Sequence, residues 1–173
     1  MEAVLKHYHI GAVWHCTDRS NLESIKKQGG ILSFAELQRR GITVATPGGN
    51  KWSHDADIIN GVHEYVHLAF IQDHPMLYRA IDQSRIPNPV WLRIDTSVLL
   101  QAGVRYTNAV SNKAGVVLLT HDIARDVIDF EALFTFMDWR DPEIKKRCMA
   151  ARKSEILVPN IVPYNMILEI KNG

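Results

Sequence analysis

A chain of 173 residues is long enough to bury one core without disulfides or metal clips, so a single domain over residues 1–173 is expected. Hydrophobic residues at 46% and charged residues at 23% are ordinary globular values, which argues against both a disordered chain and a membrane-embedded one. A formal net charge of +1 removes bulk basicity as a reason to invoke nucleic acid and leaves only local basic patches for that purpose.

The two cysteines, Cys16 and Cys148, form no Cys-x-x-Cys pair, as expected of a reduced intracellular protein. The stretch Met1 to Val13 contains Lys6, His7 and His9 and no apolar run long enough for a signal peptide or a span. A cytoplasmic location with no membrane partner is therefore expected.

In chain order, Ala12 to Thr17 is rich in β-branched and aromatic residues and reads as a strand ending at a turn of Thr17, Asp18 and Ser20. A helix over Asn21 to Gln28 follows, with Leu22 and Ile25 on one face, Ser20 as N-cap and Gly29-Gly30 as the stop. Ser33 to Arg40 is a second helix, with Leu37 inward, Arg39 and Arg40 in the last turn and Gly41 behind them. Thr46 to Asp57 carries Pro47-Gly48-Gly49-Asn50 and no periodicity, and is expected to be a loop. Val62 to Ile71 alternates as a strand with Val62, Val66, Leu68 and Phe70 on one side. A short helix over Met76 to Ile81 precedes the turn Pro87-Asn88-Pro89, and strands are expected at Val90 to Ile94 and Val116 to Leu119. Helices at Phe130 to Phe136 and Pro142 to Met149 precede final strands at Ile156 to Val158 and Met166 to Ile170. Short strands with unevenly scattered helices define an α+β fold rather than a repeating βαβ array.

His63-Glu64-Tyr65-Val66-His67 matches the His-Glu-x-x-His pattern of zinc proteases, in which two histidines share a helix face and the glutamate activates water. Here Gly61, Val62, Tyr65, Val66 and Phe70 favour a strand, which sets the two histidines too far apart for that site. Only Asp73 or His74 could supply a third ligand, and a half-buried strand is the simpler reading.

Other residues are ambiguous when read alone. His15 closes an apolar strand and suits either a backbone-satisfied core position or the wall of a cleft. Glu155 stands before Ile156-Leu-Val158 and after Lys145, Lys146, Arg147, Arg152 and Lys153; it suits either a surface ion pair or chemistry on an anionic substrate. The basic run itself suits a solvated helix face or a phosphate-binding one. Neither Gly-x-Gly-x-x-Gly nor a P-loop is present.

Taken together, Trp14-His-Cys-Thr-Asp-Arg-Ser-Asn-Leu22 with Ile25 and Gly29-Gly30-Ile-Leu-Ser33 resembles the opening of the DarT-type DNA ADP-ribosyltransferases. Three further blocks agree in order: His63-Glu-Tyr-Val66 with Pro75-Met-Leu-Tyr78, then Phe130 to Pro142, then Ser154-Glu-Ile-Leu-Val158 with Val162-Pro163 and Ile167. The resemblance implies the ADP-ribosyltransferase fold: two packed, mainly antiparallel β-sheets with an NAD cleft and peripheral helices. It implies a mono-ADP-ribosyltransferase that takes NAD as ADP-ribose donor, needs no metal, and acts as the toxin of a toxin-antitoxin system. The substrate it implies is a base in single-stranded DNA, and the partner a macrodomain-type antitoxin.

By the same resemblance Glu155 is the catalytic acid, His15, Cys16, Thr17 and Asn21 meet NAD, and residues 137–153 form the substrate-recognition segment. Trp139 would stack on a base, and Lys145, Lys146, Arg147, Arg152 and Lys153 would meet the strand's phosphates. The sequence departs from the family in having no arginine in Trp52 to Asn60, for which Arg39, Arg40 or Lys51 would substitute, and in lacking a tyrosine within Val66 to Phe70. Competing expectations are the same transfer to RNA or protein, a zinc hydrolase using His63, Glu64 and His67, and a degenerate nucleic-acid-binding module.

Overall fold

The computed structural model describes residues 1–72 and 74–173, apart from the side chains of Met76, Leu77 and Arg79. Asp73, one of the two candidate third zinc ligands, lies outside the described residues.

Helix α1 (Glu2–His7) is too short to show a period in the sequence, and it buries Val4 in the main core. Strand β1 (Val13–Asp18) follows. The residue that caps what comes next is Asp18 rather than Ser20: its Oδ1 accepts from the Ser20 amide at 2.9 Å, opening a single 3-10 turn, Arg19–Asn21, that runs into α2 (Leu22–Lys27). Asp18 is buried, and its Oδ2 accepts from the Asn88 amide at 2.8 Å, so one carboxylate closes two turns.

Gly29-Gly30 ends α2, but Gly30 already belongs to β2 (Gly30–Leu32). It lies at φ +155°, where a Cβ would stand 2.2 Å from the Val162 carbonyl oxygen, so only glycine lets the two backbones approach. Helix α3 (Phe34–Arg39) is capped by Ser33, whose hydroxyl accepts from the Glu36 amide at 3.2 Å.

The expected loop over Thr46 to Asp57 is overturned in its second half, which is helix α4 (Lys51–Ile59). Asn50 caps it by accepting from the Ser53 amide at 2.9 Å, a start signal masked by the glycines before it. Strand β3 (Tyr65–Ala69) is shorter than expected because residues 61–64 turn into it. Helix α5 (Pro75–Asp82), β4 (Pro89–Ile94) and β5 (Arg105–Thr107) follow. Val116 to Leu119 forms no strand; Leu119 alone bridges to Tyr106. The chain closes with α6 (His121–Val127), α7 (Phe130–Phe134), α8 (Pro142–Ala151), β6 (Glu155–Pro159), β7 (Ile161–Pro163) and β8 (Ile167–Asn172).

Six strands form one antiparallel sheet in the order β5-β6-β3-β1-β4-β8, and β2 pairs with β7 in a short ribbon. Alternation along the strands sends Val13, Val66, Leu68, Leu92, Ile94, Tyr106, Ile156 and Val158 into one core, which the ribbon joins through Ile31 and Val162. Tyr106 is fully buried and donates its hydroxyl to the Leu99 carbonyl at 3.2 Å.

The sheet is not uniformly bonded. β1 pairs with β4 along its whole length, from Val13↔Ile94 to Asp18↔Pro89, but meets β3 only at Trp14↔Ala69. Beyond that pair β1 and β3 part, and the wedge between them is the mouth of a cleft. Gly30→Ala is expected to lower the unfolding free energy by about 2 kcal/mol or more, through overlap with Val162 and strain. Gly29→Ala, at φ +79° with no atom within 4 Å, should cost only about 1 kcal/mol. Parallel urea melts of the two variants check the difference.

Candidate active site

Glu155 is the first residue of β6, opposite Ala69 of β3 and Thr107 of β5. The three residues after it are completely buried, which seats its carboxylate at the inner end of an apolar strand with 5% of the residue exposed. His67 lies diagonally across on the same face of β3 and reaches it: His67 Nδ1 is 3.2 Å from Glu155 Oε2. Ser111, from the loop after β5, donates its hydroxyl to the same oxygen at 2.5 Å and also lies 3.0 Å from His67 Nδ1. His74 Nε2 stands 3.8 Å from the other carboxylate oxygen.

The partners of the His67 ring favour its charged form. Its Nε2 is 3.2 Å from the Val62 carbonyl, which can only accept, and its Nδ1 faces a carboxylate and a hydroxyl already donating to that carboxylate. These partners favour a proton on both ring nitrogens, the imidazolium form of His67. Burial opposes this charge, but the hydrogen bond and charge of Glu155, then the charge of Asp57, hold the ring's pKa above its ordinary value. Burial likewise opposes ionised Glu155; His67, then His74 and the Ser111 hydroxyl, keep its pKa below the usual carboxylate range.

His15 donates Nδ1–H to the His67 carbonyl at 3.0 Å, so a side chain replaces the backbone ladder where β1 and β3 separate. Burial, with the nearby charge of His67, lowers its pKa and keeps it neutral. Cys16 also lines the cleft; its thiol is pushed up to about 12 by burial and by Asp18, which leaves it unreactive as a nucleophile near neutrality.

The cleft has two lobes. The larger, of about 510 Å³, runs from His15, Cys16, Thr17 and Asn21 past the apolar wall of Ile31, Phe34, Leu37 and Val44. The smaller, of about 240 Å³, contains Glu155, His74, Ser111 and Arg85. His15, Gly48, Gly49, His54, Asp57 and His67 line both lobes and form the waist.

Asn21 is engaged structurally: its amide donates to Thr17 Oγ1 at 3.0 Å and to the Thr46 carbonyl at 2.8 Å, and its Oδ1 accepts from the Thr46 amide at 3.1 Å. It thus fixes the cleft wall around Thr46.

Arg39 and Arg40, expected to substitute for the family's arginine, do not line either lobe. Arg39 is held by Glu36, Glu64 and Asn160, and Arg40 by Glu36, so both are spent on the outer surface. Lys51 is exposed at the start of α4. The arginine that lines the small lobe is Arg85, whose guanidinium donates to the Gly48 carbonyl at the waist. It follows α5 in a turn, and no motif in the sequence marks it.

The basic segment is divided rather than continuous. Arg147 is pinned to Asp129 at 2.5 Å and to Glu131 at 2.6 Å, and Lys146 stands 3.8 Å from Glu143. Arg152 lies over the Trp139 ring at 4.4 Å, beside a surface hollow of about 520 Å³ lined by residues 132–140 except Phe134, and by Arg152. Phe136 in that hollow is 98% exposed. Lys145 and Lys153 are exposed on the same segment.

The zinc-hydrolase alternative is overturned by backbone geometry. His63 sits in the turn before β3, His67 on the strand itself, and Glu64 faces outward to Arg39 at 3.0 Å, so the three converge on no common point. Among the described residues no group of three His, Cys, Asp or Glu is placed to hold a metal ion.

A sheet split between two central strands, with a two-lobed cleft in the split and a buried glutamate in its inner lobe, is the architecture of an ADP-ribosyltransferase. The chain superposes on Thermus sp. 2.9 DarT in complex with ADP-ribosylated ssDNA with a TM-score of 0.69, at 19% identity over 94% of this chain and 81% of that one. It superposes on Thermus sp. 2.9 DarT in complex with NAD+ with a TM-score of 0.62, at 21% identity over 93% and 81% of the two chains. Against Thermosipho africanus DarTG in complex with ADP-ribose the TM-score is 0.65, at 18% identity, and the match covers 92% of this chain but only 43% of that one. No curated protein sequence matches the chain. The sequence profile described as ssDNA thymidine ADP-ribosyltransferase, DarT, matches residues 14–171, and the chain belongs to that family.

Asn21→Ala removes the bonds to the half-buried Thr46 amide and carbonyl and to the buried Thr17 hydroxyl, and is expected to cost about 1–3 kcal/mol of stability. Loosening of the wall should also raise KM for NAD⁺ more than it lowers kcat. Thermal melts with steady-state kinetics check both effects.

Proposed function

We propose that this chain transfers ADP-ribose from NAD⁺ to a base of single-stranded DNA, thymidine by the family's description, with Glu155 as the catalytic carboxylate. The observation that carries the reading is the position of Glu155: ionised, buried and fixed by His67 and Ser111 in the inner lobe of a cleft that opens between β1 and β3.

The cleft suits an extended dinucleotide. The larger lobe lies within the roughly 300–1,000 Å³ typical of ligand pockets, and the waist joins it to the carboxylate. Breaking the nicotinamide–ribose bond sends the electron pair to nicotinamide and leaves cationic character on the ribose carbon. Glu155 supplies a fixed negative charge beside it in a water-poor site, where such charge is most effective. The base then bonds to that carbon and its proton is released. In this reading the β1 edge at Cys16 and Thr17, free of strand pairing toward β3, receives the nicotinamide end, with His15 beside it. Arg85 takes the phosphate-facing role that no residue from 52 to 60 can fill.

The DNA strand would lie along the hollow of residues 132–140. Phe136 offers an exposed ring for stacking, while Trp139 presents one face to Arg152; Lys145 and Lys153 remain for backbone phosphates. A cytoplasmic toxin restrained by a macrodomain-type antitoxin fits this reading. The cytoplasmic part of that reading is supported by the two free cysteines.

Incubation with labelled NAD⁺ and separate pools of single-stranded DNA, duplex DNA, RNA and protein is expected to label single-stranded DNA. Glu155→Ala should reduce that labelling by at least about 10²–10³-fold while leaving the fold intact. Labelling confined to another pool, or undiminished in Glu155→Ala, would refute the reading. Phe136→Ala is expected to weaken strand binding by about 1–3 kcal/mol without changing KM for NAD⁺, as seen in strand titrations.

A further inference from the structure

Ser111 has one hydroxyl proton, with Glu155 Oε2 at 2.5 Å as an acceptor and His67 Nδ1 at 3.0 Å as a second one whenever that nitrogen is unprotonated. It is 2% exposed, and its loop is held from α4. Asn60 Nδ2 donates to the carbonyls of Ser111 at 3.0 Å and Lys113 at 3.1 Å, and Asn112 Nδ2 donates to Ser53 Oγ at 3.2 Å. The helix that lines the cleft therefore also delivers the hydroxyl to the carboxylate.

We propose that Ser111 and His67 are positioning residues forming a latch on Glu155, in which the Ser111 hydroxyl turns toward Glu155 when His67 is an imidazolium and toward His67 Nδ1 when it is neutral. The proposal rests on the reading of Glu155 as the catalytic carboxylate.

With both ring nitrogens protonated, His67 gives one hydrogen to Val62 and the other toward Glu155 and Ser111, so Ser111 can donate only to the carboxylate. Loss of the Nδ1 proton creates a lone pair that competes for the hydroxyl, and Glu155 loses its counter-charge and part of its hydrogen bonding at once. The Nδ1 proton passes to solvent as the pH rises, and no other covalent bond changes. The groups facing this pair are Asp57 on α4, His15 on β1 and His74 after β3, while His54 on α4 and His63 in the turn before β3 act on Asp57. Asp57 favours the imidazolium and burial keeps His15 neutral, while burial lowers the pKa of His74, which stands beside the other Glu155 oxygen.

His67 titrates above its ordinary 6.5 in the folded protein, so the latched form holds below that folded pKa and is lost as pH rises through it. Single-turnover transfer rates should fall on the alkaline side in the wild type. His67→Gln keeps an amide donor whose charge does not change with pH, and should abolish that fall. Ser111→Ala should lower kcat about 10- to 100-fold with KM for NAD⁺ nearly unchanged, and Ser111→Thr should restore most of it.

Ring-proton NMR of His67 gives a readout independent of activity: its midpoint should drop markedly in Glu155→Gln. An alkaline limb that persists unchanged in His67→Gln overturns the latch. So does an unmoved His67 midpoint in Glu155→Gln while Glu155→Ala is inactive. Full activity in Glu155→Ala would instead overturn the reading of the site, and with it the catalytic use of the latch.

Discussion

An ionised carboxylate removed from water costs several kcal/mol unless a counter-charge and hydrogen bonds replace its hydration. Glu155 meets that requirement at the head of a strand whose next three residues are apolar and fully buried, through the His67 ring and the Ser111 hydroxyl. Each of those partners needs support in turn. His67 is fixed by the Val62 carbonyl, and Ser111 by Asn60 at the end of α4. The position of α4 and the turn before β3 are thus tied to one buried negative charge, and the cleft is shaped around it.

Much of the frame is legible in the residues themselves. β1, α3, β3, β4 and β6 announce themselves by β-branched runs, alternation, or a serine cap with a glycine stop. Helix α4 does not, because Lys51–Ile59 has polar residues at Ser53, His54, Asp55 and Asp57 and follows a Pro-Gly-Gly run that signals a loop. The three-residue strands β2, β5 and β7 are also silent, since pairing over that length is set by distant partners rather than by local preference.

The site divides in the same way. The ordered resemblance marks Glu155 and His15, which the structure seats in the cleft. His67 is visible only as half of a zinc-protease pattern, a coincidence of spacing that strand geometry dissolves. Ser111 and Arg85 sit in turns with no motif, and enter the site only because the loops that carry them pack against the Glu155 lobe. Arg39 and Arg40 show the converse: correct charge and nearby sequence, but side chains consumed by Glu36 and Glu64 on the outer face.

The sheet is joined across its middle by the single pair Trp14↔Ala69. On one side lie β1, β4 and β8; on the other β3, β6 and β5, which hold the carboxylate and its partners. Past that pair the two halves are held by packing in their shared core and by the His15 ring on the His67 carbonyl. The width of the cleft mouth is therefore set by side chains rather than by a hydrogen-bonded ladder.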